Sequence, residues 1–179
     1  MLSEKRLKEA EDNVRTYISD GLLRKIPKQD LNVKQIMLMN SEESLRVAEL
    51  LFNNNHSYLW TVVCSYYSMF YIANAVLYEL GLKIGDKIVH KVTAEALIVH
   101  IRNKLAKTLL EDYEKSKEEA LQVAKLESEE LIQSFDSEQT KRAIFQYGMT
   151  EIVIKGKAQT SLERAKKFVF EMGKLVKKC

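Results

Sequence analysis

His90 and Lys91 are the residues whose types and position are best suited to chemistry. They follow a loop that leaves Gly81 and stand at the start of a predicted helix, close to Thr93. The first turn of a helix carries backbone N–H groups without intrahelical partners, and the helix dipole favours negative charge there. A histidine and a lysine at such a place favour a phosphate group. We therefore predict that His90, Lys91 and the amides near Thr93 form an anion site.

The other reactive residue types are placed less favourably. The three histidines, His56, His90 and His100, form no close pair on one helix face, so no metal site is predicted. Cys64 stands in an uncharged stretch, where a buried structural thiol is expected, and Cys179 is the last residue, so no disulfide framework is expected. The glycines lack the spacing of a phosphate-binding loop. We expect no cofactor.

Composition bounds the elements that must position these residues. The chain has 179 residues, of which 46% are hydrophobic and 30% charged, and it contains one Pro and 6 Gly. So few interruptions favour long helices and predict an all-α fold. A formal net charge of +3 is too small to indicate a nucleic-acid binder by charge alone. The N-terminus has no apolar segment typical of a signal peptide, so we expect a cytoplasmic protein without a membrane association.

An uncharged stretch over residues 57–78 is the most distinctive element. Wound as a helix, it presents two stripes. One contains Trp60, Cys64, Tyr67, Tyr71, Asn74 and Tyr78, and the other contains Leu59, Val62, Tyr66, Met69, Ala73, Val76 and Leu80. A helix that is apolar on both sides must be covered on both sides, which predicts a central helix with Trp60 buried. Hydroxyl and amide side chains dilute the stretch, so a core helix is favoured over a membrane span.

Capping and periodicity predict the remaining helices. The predicted helix boundaries are Ser3 as the first cap, Asp30 or Asn40 as the second start, Gly81 as the end of the aromatic helix, a long helix from Thr93 with a break between Thr108 and Lys117, Asp136 or Ser137 as the next cap, and a capping box at Thr160–Glu163 for the last helix. The charged run Glu111, Asp112 and Glu114 is expected to be a solvated face.

Four local patterns resemble the HEPN domain family of small helical proteins. Tyr66-Tyr67-Ser68-Met69-Phe70 is similar to the family's second-helix core, and small and aliphatic residues and then Gly81 follow it. His90 stands after the next loop, as in the family. Arg142, with Tyr147-Gly148 after it, resembles the family's later helix, and Ala165 with Phe168 its final one.

The resemblance implies an up-and-down bundle of about five or six helices. It divides the chain into an N-terminal helical extension, residues 1–29, and a HEPN-like bundle, residues 30–179. It also implies a homodimer and a minimal nucleotidyltransferase as antitoxin partner, with the exposed part of the aromatic stripe as the contact surface.

Two activities and a purely structural role are compatible with this family. Many HEPN domains are ribonucleases that use an Arg-x4-6-His motif, but here Tyr147 takes the place of the His after Arg142. A tyrosine with an ordinary pKa of ~10 is a poor general base. We favour a module that binds a nucleotide, RNA or the partner, with Arg142, His90, Lys91 and Tyr67 as binding residues. The alternative is a metal-independent endoribonuclease toxin in which Arg142 stabilises the phosphate and His90 or Tyr147 handles the proton. In the third, purely structural case, Arg142, Tyr147 and His90 only hold the helices of the bundle together, with Glu95 or Glu138 as the ion-pair partner of Arg142.

Overall fold

The fold consists of helices that surround one central helix, with two short strands beside it. A computed structural model describes residues 3–133 and 140–176, with side chains for 3–106, 108–123 and 155–176. In chain order the elements are α1 (Glu4–Ser19), β1 (Leu23–Lys25), α2 (Leu31–Asn53), α3 (Tyr58–Glu79), β2 (Leu82–Ile84), α4 (Val89–His100), α5 (Lys107–Gln133) and α6 (Thr140–Gly173). The predicted all-α fold is confirmed.

The aromatic helix α3 is central, as predicted. It contacts α2, α4, α5 and α6. Ser57 caps its start by accepting a hydrogen bond from the Trp60 amide at 3.2 Å. Gly81 ends it with φ +77°, a left-handed conformation that also lets the Ile26 carbonyl approach closely. Tyr66, Met69 and Leu77 are almost fully buried.

The prediction that both stripes of α3 are covered is wrong. Trp60 is 50% exposed and Tyr67 is 37% exposed, whereas the hydroxyl residues Thr61, Ser65 and Ser68 are fully buried. Small side chains allow neighbouring helices to approach closely, and their hydroxyl groups can bond to backbone carbonyls. Thr61 Oγ1 donates to the Ser57 carbonyl and Ser68 Oγ to the Ser65 carbonyl, each at 2.7 Å. The polar residues therefore fill the interior, while Trp60 stays at the surface.

The strands β1 and β2 form a two-stranded antiparallel sheet that the sequence did not predict. Leu23 pairs with Ile84, and Lys25 with Leu82. The Gly85 amide continues the contact by donating to the Leu22 carbonyl at 2.8 Å. This sheet connects the segment between α1 and α2 with the segment between α3 and α4. It therefore positions the chain that leads into α4, where His90 lies.

Two predicted helix boundaries differ from those found. The break expected between Thr108 and Lys117 lies at residues 101–106, where no Gly or Pro marks it. The capping box at Thr160 does not start a helix, because α6 runs through it and Thr160 Oγ1 donates to the Gly156 carbonyl at 2.9 Å. The caps proposed at Asp136 and Ser137 lie outside the described residues.

The carboxylates of α4 and α5 hold helices together and do not form a solvated face. Arg6 of α1 lies 2.8 Å from Glu114 and 3.6 Å from the buried Glu95. Asp112 lies 3.4 Å from Arg164 of α6. Glu95, considered as a partner of Arg142, thus pairs with Arg6; Glu138 lies outside the described residues. Within the described ranges, no helix combines the length and apolarity that a membrane crossing needs.

Candidate functional site

His90 lies in the first turn of α4, where the chain turns sharply from the loop into the helix. Ile88 precedes the helix with φ +44°, in the left-handed region that is unusual for a β-branched residue. The amides of Lys91 and Val92 both donate to the Ile88 carbonyl at 3.0 Å. This start places the imidazole of His90 against the aromatic face of α3.

Three aromatic rings of α3 surround the His90 ring. The ring centroid of His90 lies 4.6 Å from that of Phe70, 5.5 Å from that of Tyr66 and 5.8 Å from that of Tyr67. The Tyr67 contact is edge-on at 84°. Tyr66, Tyr67 and Phe70 occur at successive and i, i+4 positions, so one helix supplies the whole surface. We call His90 with these three residues the histidine cluster.

A hydrogen bond of 2.8 Å joins Tyr66 Oη to His90 Nδ1. Burial raises the pKa of the Tyr66 hydroxyl, which therefore keeps its proton. Burial and the nearby Lys117 charge lower the pKa of His90, which favours the neutral imidazole. A phenol is the better donor and an imidazole nitrogen the better acceptor, so we assign Tyr66 as the donor. Neutral His90 then carries its proton on Nε2.

Tyr113 of α5 packs against Tyr66. Their ring centroids lie 5.9 Å apart, and Tyr113 in turn lies 5.3 Å from Phe168 of α6. The Tyr113 hydroxyl is buried and makes no hydrogen bond of good geometry with a described residue. Burial raises its pKa, and the neighbouring Tyr66 hydroxyl adds to the rise. The Tyr66 ring is therefore in contact with Tyr113 as well as with His90, and Tyr113 links it to α6.

The outer side of the histidine cluster is basic and partly open. Lys91 is exposed and adjoins His90 on α4, and Lys117 of α5 is close enough for its charge to lower the pKa of His90. Tyr67 remains 37% exposed. The structure therefore brings together two of the predicted binding residues, His90 and Tyr67. A third, Lys91, follows His90 directly in the sequence.

Sequence reasoning missed Tyr66, Phe70 and Lys117 as neighbours of His90. The spacing of Tyr66 and Phe70 placed both on one side of the aromatic helix, but no pattern linked that side to His90. Lys117 belongs to a charged repeat without any distinguishing signal. Its contribution depends on the packing of α5 across the bundle.

Arg142 and Tyr147 fall within α6, and their side chains lie outside the part of the chain that the structure describes. Their roles therefore stay predictions. Among the described residues, no group of His, Cys, Asp or Glu side chains could hold a metal ion. The histidine cluster offers a hydrogen-bond donor and aromatic rings, and Lys91 and Lys117 beside it add two ammonium groups.

The model of the HEPN domain family matches residues 35–175. The chain therefore belongs to the HEPN family, as the resemblance predicted. The match includes the histidine cluster and begins after α1 and β1. Comparisons with curated proteins and with solved structures found no match.

Proposed function

We propose that this HEPN protein is a binding module that holds a phosphate of a nucleotide or RNA at His90. The observation that carries the proposal is the 2.8 Å contact between Tyr66 Oη and His90 Nδ1. With Nδ1 accepting from Tyr66, the neutral imidazole presents Nε2–H as a donor. A fixed N–H donor suits a phosphate oxygen.

The surroundings of His90 supply the rest of such a site. Lys91 and Lys117 add positive charge, and the N-terminal end of α4 adds the favourable end of the helix dipole. The exposed ring of Tyr67 offers a surface on which a base can stack. His90 and Lys91 would thus hold the phosphate, and Tyr67 the base.

The same hydrogen bond argues against His90 as the base of a ribonuclease. A general base that takes the proton of a ribose 2′-hydroxyl needs a free nitrogen lone pair. The lone pair of Nδ1 already accepts from Tyr66, and Nε2 carries the proton. An endoribonuclease would therefore depend on Arg142 and Tyr147, with Tyr147 handling the proton.

Ligand titrations with matched variants test the proposal. Trp60 is the only tryptophan, and its half-exposed ring provides a fluorescence signal for titration with a nucleoside monophosphate and with a short single-stranded RNA. We expect His90→Ala and Tyr67→Ala to abolish or strongly weaken binding. His56→Ala, an exposed histidine outside the cluster, is the control and should bind as the natural protein does.

RNA cleavage separates the competing functions. Intact RNA after prolonged incubation, together with saturable binding that needs His90, supports the module. Cleavage that is lost in Arg142→Ala and in Tyr147→Phe contradicts it and indicates the ribonuclease. Absence of both binding and cleavage, with Arg142→Ala melting at a lower temperature, indicates a structural role.

We also propose that the protein forms a homodimer and works beside a minimal nucleotidyltransferase in a toxin–antitoxin pair. Family membership supports both proposals, and the exposed aromatic side chains of α3 offer a contact surface for the nucleotidyltransferase. The mass of the purified protein in solution, and co-purification with a co-expressed nucleotidyltransferase of the same genome, test the two partners separately.

A further inference from the structure

The outer face of α2 carries large apolar side chains that no described residue covers. Their exposed fractions are 56% for Ile36, 60% for Met39, 37% for Val47 and 54% for Leu50. The opposite face of α2 packs on α3, where Ser41 Oγ donates to the Ser68 carbonyl at 2.7 Å and Ala48 is fully buried. The helix therefore has one face in the bundle and a second apolar face toward solvent.

Charged residues interrupt this outer face in a particular order. Met39, Glu43, Arg46 and Leu50 follow one another at spacings of four, three and four residues, so they form one line along the helix. All four are exposed. Read from either end, the line is apolar, charged, charged, apolar, with the two inner charges of opposite sign.

We infer that this face of α2 binds the same face of a second copy of the chain, with the two helices antiparallel. The inference rests on the homodimer proposed above and adds its surface and its register. In an antiparallel pair, one register brings Met39 opposite the partner's Leu50 and Glu43 opposite the partner's Arg46. Twofold symmetry repeats both contacts, so two apolar contacts flank two ion pairs.

The charges disfavour a parallel arrangement of the same two faces in equal register. In a parallel pair with equal register, Glu43 would face Glu43 and Arg46 would face Arg46, and like charges in contact oppose association. Ile36 and Val47 lie on one flank of the line and extend the apolar part of the contact. A line of this kind is complementary to itself, so it fits a second copy of the chain. An unrelated partner would need the same order of apolar and charged side chains on its own surface.

Charge reversal tests the surface, its register and the homodimer separately. Sedimentation equilibrium of the full chain measures the dimer dissociation constant for the natural protein, for Glu43→Arg and for Arg46→Glu. Each variant places like charges at two symmetric positions, and we expect roughly tenfold or greater weakening from surface pairs of this kind. An equimolar mixture of the two variants restores opposite charges at both positions, so it should form a heterodimer about as tight as the natural homodimer.

Controls and outcomes distinguish the possibilities. Glu118→Arg on α5 and Lys167→Glu on α6 are exposed charge reversals away from α2, and neither should change the dissociation constant. A dimer that is insensitive to both α2 variants would overturn this surface and leave the homodimer standing. Weakening without rescue in the mixture would overturn the register. A natural protein that stays monomeric at all soluble concentrations would overturn the inference and the homodimer together.

Discussion

Replacing Tyr66 by Phe removes one oxygen atom from the contact between α3 and α4. Tyr66 is 1% exposed, and its ring contacts with His90 at 5.5 Å and Tyr113 at 5.9 Å do not depend on the hydroxyl. Phe therefore leaves no large cavity. The loss consists of one hydrogen bond, worth ~0.5–1.5 kcal/mol, and of a half-buried Nδ1 atom without its donor. We expect the free energy of unfolding to fall by about 1–2 kcal/mol.

Tyr113→Phe is the matched control for this prediction. The Tyr113 hydroxyl is also buried, but it makes no hydrogen bond of good geometry with a described residue, although the Tyr66 hydroxyl lies near enough to raise its pKa. Its removal should therefore cost less free energy of unfolding than removal of the Tyr66 hydroxyl. Urea unfolding at pH 7.5 measures both variants, and ¹⁵N NMR of the His90 ring reports whether the Nε2–H form is lost in Tyr66→Phe. Equal costs for the two variants, or an unchanged His90 ring in Tyr66→Phe, would show that the assigned hydrogen bond does not hold the imidazole.

Three further predictions concern stability. Burial lowers the pKa of both His90 and His100 below 6.5, and the charge of a nearby lysine lowers each pKa further. Near that pH the unfolded chain therefore binds more protons than the folded chain does. The free energy of unfolding should therefore fall as the pH falls through 6.5. In urea unfolding, His90→Gln and His100→Gln should each lose less free energy of unfolding over this pH range than the natural protein does. Arg6→Ala leaves the buried Glu95 carboxylate of α4 without its cation and should lower the free energy of unfolding by about 2 kcal/mol. The cost is less than for a fully buried pair because 27% of the Arg6 side chain is exposed. An unchanged melting temperature in thermal unfolding would contradict this. Trp60→Ala should cost ~2 kcal/mol, about half the cost of Phe168→Ala, since the Trp60 ring is 50% exposed and the Phe168 ring is fully buried; equal costs in urea unfolding would contradict the observed burial.

Local signals predicted much of the fold. Ser3 and Asp30 act as helix caps through hydrogen bonds from amides two or three residues ahead, and Gly81 adopts the left-handed conformation that ends α3. Each of these features depends on residues close together in sequence. The uncharged stretch over residues 57–78, which is apolar or aromatic on both sides, identified the central helix.

Features that depend on distant residues could not be predicted in the same way. The burial of Ser65 and the exposure of Trp60 reverse the order expected from hydrophobicity, because close helix contact favours the smaller side chain. The pairing of β1 with β2 joins two loops that looked irregular. His90 was recognised by its place before a helix, but its hydrogen bond to Tyr66 and its proximity to Lys117 arise only when α3, α4 and α5 pack together.

The central claim is that His90 donates a hydrogen bond from Nε2 to a phosphate group, and NMR of the imidazole signals tests it most directly. The experiment follows His90 through a pH titration with and without a saturating nucleoside monophosphate, with His56 as the reference in the same sample. A bound phosphate favours the imidazolium, so we predict that the nucleotide shifts the Nε2–H signal and raises the pKa of His90 while His56 stays unchanged. His90 signals and a His90 titration that are identical with and without the nucleotide would contradict the account.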